Sequence, residues 1–302
     1  MSLFINADDF GLSDGANRRI LDAFDKQVLH GASLLPNGSA FDSAVREYRK
    51  RPGFVLSVHL NLIEGKPVSN PNDVPLLLDA GGYLNCSFGK LIALYVFSFP
   101  KRRRALLQQL AIEMRAQLAK IKAVLHPKAP LRVDSHTHTH MLPFVFRTLA
   151  GLARVTEIAY IRVPNEQFFF FTGHVSFWKV YFGTGLVKLF LLKYLSGGAA
   201  RTCRSLGIKT CDHFVGVLFT GSMTLGVTKA ALKKISPLLH TEVLFHPGRP
   251  DDHEKLMWKG RERYLSYYYN DWRVREFDTL LSPEFKAFLI SRGTDERISR
   301  SG

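Results

Sequence analysis

The alternation of short apolar runs with stretches of helical length constrains this chain more than any other feature. The runs at 3–7, 31–35, 54–60, 131–135, 157–163, 214–219 and 242–245 read as buried strands bounded by turn or polar residues. Helices are expected between them at about 14–29, 40–51, 101–125, 144–153, 177–195 and 228–239, followed by C-terminal helices starting near Gly260 and at Ser282. Ser282-Pro283-Glu284 places a capping hydroxyl, a proline at the first helical position and an early negative charge in order. This alternation is that of βα units around a parallel sheet. No repeat or low-complexity linker divides the chain, so residues 1–302 are expected to form one domain of the α/β class, an incomplete (β/α) barrel of about seven strands. It carries an apolar insertion at about 165–211 and a basic apolar segment at about 88–125.

Composition narrows the class. An apolar content of 46% with 22% charged residues excludes a disordered chain. The 41 basic and 26 acidic residues leave a formal charge of +15, which favours anionic partners. Cys86, Cys203 and Cys211 form no CxxC pair, which argues against a disulfide framework or a cysteine zinc site. The first residues reach Asp8 and Asp9 without a basic and then apolar leader, so a cytoplasmic location is expected. The apolar stretch 168–195 is broken by His174, Lys179, Gly183, Gly185, Lys188 and Lys193 and meets the criterion for a membrane span poorly.

In a (β/α) barrel the chemistry sits where strands end. Here the first strand ends in Asp8-Asp9-Phe10-Gly11, the third in Ser57-Val58-His59-Leu60-Asn61, the fourth in Asp134-Ser135-His136-Thr137-His138-Thr139-His140 and the last in His246-Pro247-Gly248. Taken singly, each has an ordinary explanation: Asp-Asp caps helices, a histidine between Val58 and Leu60 packs in cores, and His-Pro-Gly makes turns. Independent causes would rarely put all four at the same end of successive strands. Adjacent carboxylates beside imidazoles form a set that a divalent transition metal relieves. In an extended chain the HxHxH run would also place three imidazoles on one face.

These motifs, with Asn6-Ala7 before the first, Glu64-Gly65 after the second, and Val74-Pro75-Leu76 and Gly82-Tyr83-Leu84 beyond, resemble the YdjC-like (ChbG-type) carbohydrate deacetylases in order and spacing. The resemblance covers residues 3 to about 280 and implies a NodB-like incomplete barrel of the glycoside hydrolase and deacetylase kind. It implies one divalent metal, Mg2+ or Zn2+, on Asp9, His59 and His136. Ser57 stands where the family commonly has glycine, and 165–211 matches no family pattern. The implied activity is hydrolysis of the N-acetyl group of an N-acetylated amino sugar. An amide resists water at neutral pH unless a metal activates both partners. Asp8 is then the candidate general base, and His246 the candidate proton donor to the leaving amine, because an imidazole ordinarily titrates near working pH. His138, His140 and Asp134 are expected to orient the ligands.

Two segments ask for a further partner. The run 88–99 is strongly apolar and leads into Lys101, Arg102, Arg103 and Arg104 at a helix start, where cations oppose the macrodipole. With the apolar stretch 168–195 this suggests peripheral contact with an anionic membrane on its inner face, and an acetylated sugar carried on a lipid or polyprenyl phosphate. The oligomeric state is open, a homodimer included. An amidohydrolase or phosphoesterase also uses HxH, but on its first strand, whereas here it follows the fourth. A nucleic-acid-binding role rests on the charge and on Tyr267-Tyr268-Tyr269 near Arg261, Arg263 and Arg273, without a known nucleic-acid motif and with the strand-end histidines unexplained.

Overall fold

A computed structural model describes residues 2–173 and 178–292 of the chain. The expected helix start at 177 and the tail 293–302 lie outside the described residues. Seven strands appear: β1 (Ser2–Phe10), β2 (Gly31–Leu34), β3 (Val55–Leu60), β4 (Leu131–Ser135), β5 (Ile158–Ile161), β6 (His213–Val215) and β7 (His240–Phe245). All pair in parallel in one sheet of order β5-β4-β3-β2-β1-β7-β6. This is a barrel order left open between β5 and β6. One parallel bridge at Tyr160 and Lys209 crosses the gap, where Ile161 N–H donates to Lys209 O (3.0 Å) and Lys209 N–H to Ala159 O (3.0 Å).

Helices form the outer layer: α1 (Asp14–Asp25), α2 (Phe41–Arg49), α3 (Phe88–Val96), α4 (Pro100–Lys122), α5 (Pro143–Thr156), α6 (Trp178–Phe182), α7 (Thr184–Ser205) and α8 (Leu225–Lys233). The chain closes with α9 (Leu265–Tyr268), α10 (Asp271–Leu281) and α11 (Pro283–Ser291). Ser13 caps α1, accepting the Ala16 N–H at 3.2 Å, and Ser282 caps α11 through Phe285 N–H at 3.2 Å. On α4 the stripe Leu106, Leu110, Met114, Leu118 and Ile121 is buried at helical spacing, and α4 packs on α5 and β3. No helix among the described residues is long and apolar enough to cross a membrane.

Where elements differ from expectation, local backbone explains it. Glu157 takes φ +60° as the left-handed cap of α5, so β5 begins one residue later. The run expected to continue to 219 ends at Val215, because Gly216 turns the chain with φ +131° in a space where a Cβ would meet Leu244 at 2.8 Å. The expected 177–195 helix divides at Gly183 into α6 and α7, and α7 runs on to Ser205. Near Gly260 only short turns and α9 form before α10.

One loop is held over the C-terminal mouth of the barrel. Buried Glu113 of α4 accepts Val68 N–H (2.9 Å) and Ser69 N–H (3.0 Å), and Gln117 bonds both backbone groups of Asn61 (2.9 and 2.7 Å). This anchors the segment that carries Glu64.

Candidate metal centre

The site begins with an irregularity in β1. Successive residues of a strand face opposite sides, so Asp8 and Asp9 could not ordinarily share one pocket. The pairing with β2 slips between Ala7 and Phe10, and Asp9 takes φ +69°, a conformation open to Asp but not to bulky residues. The bulge brings both carboxylates, buried, to the mouth. On β3 and β4, His59 and Asp134 are register partners, and His136 follows the end of β4.

Three atoms converge. His136 Nδ1 lies 3.1 Å from Asp9 Oδ1, His59 Nε2 lies 3.6 Å from the same oxygen, and the two nitrogens are 3.4 Å apart. Asp9 Oδ1 is buried and has no hydrogen-bond partner. Surrounding groups leave these atoms free to ligate. His59 Nδ1 donates to Asp134 Oδ1 at 2.5 Å, which turns Nε2 inward. His136 Nε2 lies 3.3 Å from the Tyr268 hydroxyl, which itself donates to Glu64, so an Nε2–H tautomer leaves the Nδ1 lone pair facing Asp9. Arg273 of α10 takes the other Asp9 oxygen at 2.7 Å and is held by the Gly248 carbonyl (2.9 Å) between Tyr267 and Tyr268.

A second buried guanidinium organises the base side. Arg162, just past β5, reaches both Asp8 oxygens at 3.0 Å, Asp134 Oδ2 at 2.9 Å and Glu242 Oε1 at 2.7 Å. Tyr160 donates to the remaining Glu242 oxygen at 2.6 Å, and Ser33 Oγ donates to Asp134 Oδ2 at 2.5 Å. His140 pins this arginine from behind, its Nε2 donating to the Arg162 carbonyl at 2.8 Å while its Nδ1 faces Ser135 Oγ at 2.6 Å.

The electrostatics favour a cation. Asp8, Asp9, Asp134 and Glu242 bring more negative charge than Arg162 and Arg273 offset. Burial alone would keep the His59 ring neutral, yet Asp8 and Asp134 outweigh it and lift the ring to about 10. Against burial, Arg273 and His136 hold Asp9 well below the usual carboxylate range, and Arg162 and His59 hold Asp134 at about 2. Asp9, His59 and His136 therefore fit a divalent ion through one oxygen and two nitrogens. Asp8, His59 and Asp134 also cluster, but Arg162 and the His59–Asp134 bond already close that group.

Two expectations about the histidines change. The HxHxH run is not extended: 136–141 forms a short 3-10 turn in which Thr137 and His138 take φ +54° and +60°. The turn sends His138 edge-on against Phe214 (5.7 Å) and His140 to the Arg162 carbonyl, so only His136 faces Asp9. His246 follows β7 with Nε2 4.0 Å from Asp8 Oδ2, and its backbone N–H donates to Glu276 at 2.5 Å. Burial, against Asp8 and Asp9, pushes its ring down to about 4 rather than leaving it near working pH.

Several participants were not expected. A lone arginine at the end of the apolar β5 run was the available sign of Arg162. Arg273 and Tyr268, grouped by sequence into a basic aromatic cluster suited to nucleic acid, are buried around Asp9 and His136 instead of forming an open stacking surface.

Known proteins resemble this chain in sequence and in fold. A model of the family described as YdjC-like protein matches residues 2–291. A chitooligosaccharide deacetylase of Escherichia fergusonii is 27% identical over 220 residues, 70% of this chain and 82% of that protein. One from Salmonella paratyphi B is 32% identical over 164 residues, 54% of this chain but only 60% of the relative. A crystal structure from Enterococcus faecalis V583, of a proposed cellobiose-phosphate cleavage protein, shares the fold with a TM-score of 0.67 at 20% identity, covering 97% of this chain and 95% of that one. With the match running from the first strand through the last helix, the chain belongs to the YdjC-like family.

Proposed function

We propose that this chain is a divalent-metal-dependent carbohydrate deacetylase that removes the N-acetyl group from an N-acetylated amino sugar. The curated relatives named as chitooligosaccharide deacetylases support the reaction class. The observation that carries the metal reading is the convergence of His59 Nε2 and His136 Nδ1 on the buried, unpartnered Asp9 Oδ1. Those three residues would hold the ion, Zn2+ or Mg2+. A bound divalent ion lowers the pKa of water and polarises an amide carbonyl.

The chain's own groups then move the proton. Asp8, oriented by Arg162, takes the proton of the attacking water. His246 starts neutral, so it reaches the leaving nitrogen charged only after accepting a proton, and Asp8 Oδ2, 4.0 Å from its Nε2, is the nearest source. The proton from water thus returns to the amine through the pair, and both groups end the cycle as they began. Asp134, His140 and Arg162 hold these atoms in register.

The finer reading is a single domain acting peripherally at the inner face of a membrane on an acetylated sugar carried by a lipid or polyprenyl phosphate. The exposed apolar residues near the cations at 101–104 support it. The test is divalent-metal content together with acetate release from free and lipid-linked N-acetylglucosamine substrates, for wild type, Asp9→Ala and His136→Ala. Loss of both metal and acetate release in the variants is expected. A wild-type protein that binds no divalent ion, or that binds one and releases no acetate from any substrate, would overturn the proposal.

A further inference from the structure

The outer face of α7 departs from the pattern of a surface helix. Leu189, Leu192, Ser196, Ala199 and Cys203 face inward and are buried. Yet Val187, Phe190, Leu191 and Tyr194, at i, i+3, i+4 and i+7, form a second apolar stripe that is exposed, Tyr194 by 81%. A helix apolar on both faces ordinarily has both covered. Just before it, Phe182 is 85% exposed, and on the turn from α3 to α4 so are Phe97 and Phe99.

Topology brings these segments to one rim. In parallel βα units a helix begins at the C-terminal mouth and runs back along the barrel. The starts of α4, α5 and α7 therefore stand at the mouth, where the metal centre opens, and α5 packs against both neighbours. Tyr95 at the end of α3 stacks on Phe144 at the start of α5, with ring centroids 4.2 Å apart. Tyr194 of α7 lines one cavity with Pro143 and Phe146 of α5.

The charge along this collar has one sign. Residues 80–112 and 167–211 contain no Asp or Glu, while they hold eleven Lys and Arg residues, of which Lys188 is partly buried with its charge facing Asp8 and Glu166 and the others include Lys90, Lys101, Arg102, Arg104 and Lys193. Arg103 is used internally, donating to the carbonyls of Tyr95, Val96 and Ser98 that end α3. Lys101, Arg102 and Arg104 are exposed and have no ion pair among the described residues. A second copy of the chain would set cations against cations, whereas an anionic lipid surface complements both the charge and the aromatics.

We propose that this collar docks on an anionic bilayer, with Phe97, Phe99, Phe182, Phe190 and Tyr194 in the interface and Lys101, Arg102 and Arg104 at the head groups, so that the barrel mouth faces the membrane. Docking stands independently of the reaction; assigning a lipid-carried sugar to the mouth rests on the deacetylase reading. The test is co-sedimentation with vesicles of phosphatidylcholine alone or mixed with phosphatidylglycerol. The proteins are wild type, Phe97→Ser/Phe99→Ser, Phe190→Ser/Tyr194→Ser and Lys101→Gln/Arg102→Gln/Arg104→Gln. Circular dichroism and acetate release from a free acetylated oligosaccharide serve as controls, both expected unchanged in the variants. Wild type should bind the mixed vesicles far better than the neutral ones. Each cation removed should weaken binding on the order of fivefold at low salt, and the serine pairs should abolish stable attachment. Wild type failing to bind, or folded variants binding equally well, overturns docking. A wild-type dimer that the serine pairs split into monomers assigns the collar to a second copy and also overturns it. Variant-sensitive vesicle binding without acetate release from any substrate would sink the deacetylase reading and leave docking intact.

Discussion

In the proposed reaction Asp8 and Asp9 are neighbours with separate tasks, and the separation lies in their arginines. Arg273 occupies one oxygen of Asp9 and leaves the other bare, whereas Arg162 reaches both oxygens of Asp8. Asp8→Asn should therefore keep metal affinity within a few-fold while kcat falls by about 10²- to 10⁴-fold. Metal titration and initial rates on one preparation check this, and parallel loss of both would make Asp8 a ligand. Tyr268→Phe removes the hydroxyl beside His136 Nε2 and should weaken metal binding by about 10- to 100-fold without unfolding the chain. Competition against a chelator measures it; unchanged affinity would show that His136 needs no such support. Asp9, His59 and His136, the ligands proposed here, could be picked out in sequence because each sits at the end of its own strand. The groups that tune them were not: Arg273 meets Asp9 from 264 residues away, a distance that no local pattern spans. The HxHxH run misled because alternation implies an extended chain, and the left-handed turn at Thr137 and His138 leaves no mark in residue type.

At the level of elements, boundaries were readable where a cap or an apolar run ended sharply, as at Ser282, β4 and α4. They were missed where tertiary space decided, as at Gly216, which must clear Leu244. The join between β1 and β2 carries a device of its own. His30 Nδ1 accepts the Ile5 N–H at 2.8 Å, and burial pushes the ring down to about 4. A histidine depressed in the folded state stabilises the protein above its unfolded pKa, and that stability is lost as pH falls from about 6.5 toward 4. Wild type should thus be more stable than His30→Ala at pH 7.5, with the gap narrowing by roughly 2 kcal/mol at pH 4.5. Urea unfolding at the two pH values reads it, and a gap independent of pH would mean that the ring is not held neutral.

For the molecule as a whole, the excess of buried carboxylate over guanidinium in the site should make stability depend on the ion proposed there. A ligand that binds only the native state stabilises it by about 2.7 kcal/mol at a hundredfold excess over Kd. Wild-type Tm should therefore rise by several degrees with saturating divalent ion, and Asp9→Asn should show no such rise. A scan in which both proteins respond alike would place the stabilising ion elsewhere.

The open side of the barrel links that chemistry to the scaffold. Between β5 and β6 a single bridge links Tyr160 to Lys209, just ahead of β6, and the reach across to β7 is made by Tyr160 and Arg162 on Glu242. The arginine that orients Asp8 is thus also a clasp in the hoop. A lineage that alters the charge around Asp8 must find another fastening or accept a barrel that breathes there. Amide hydrogen exchange at Ile161 and Lys209 then becomes a backbone gauge of the pocket around Asp8.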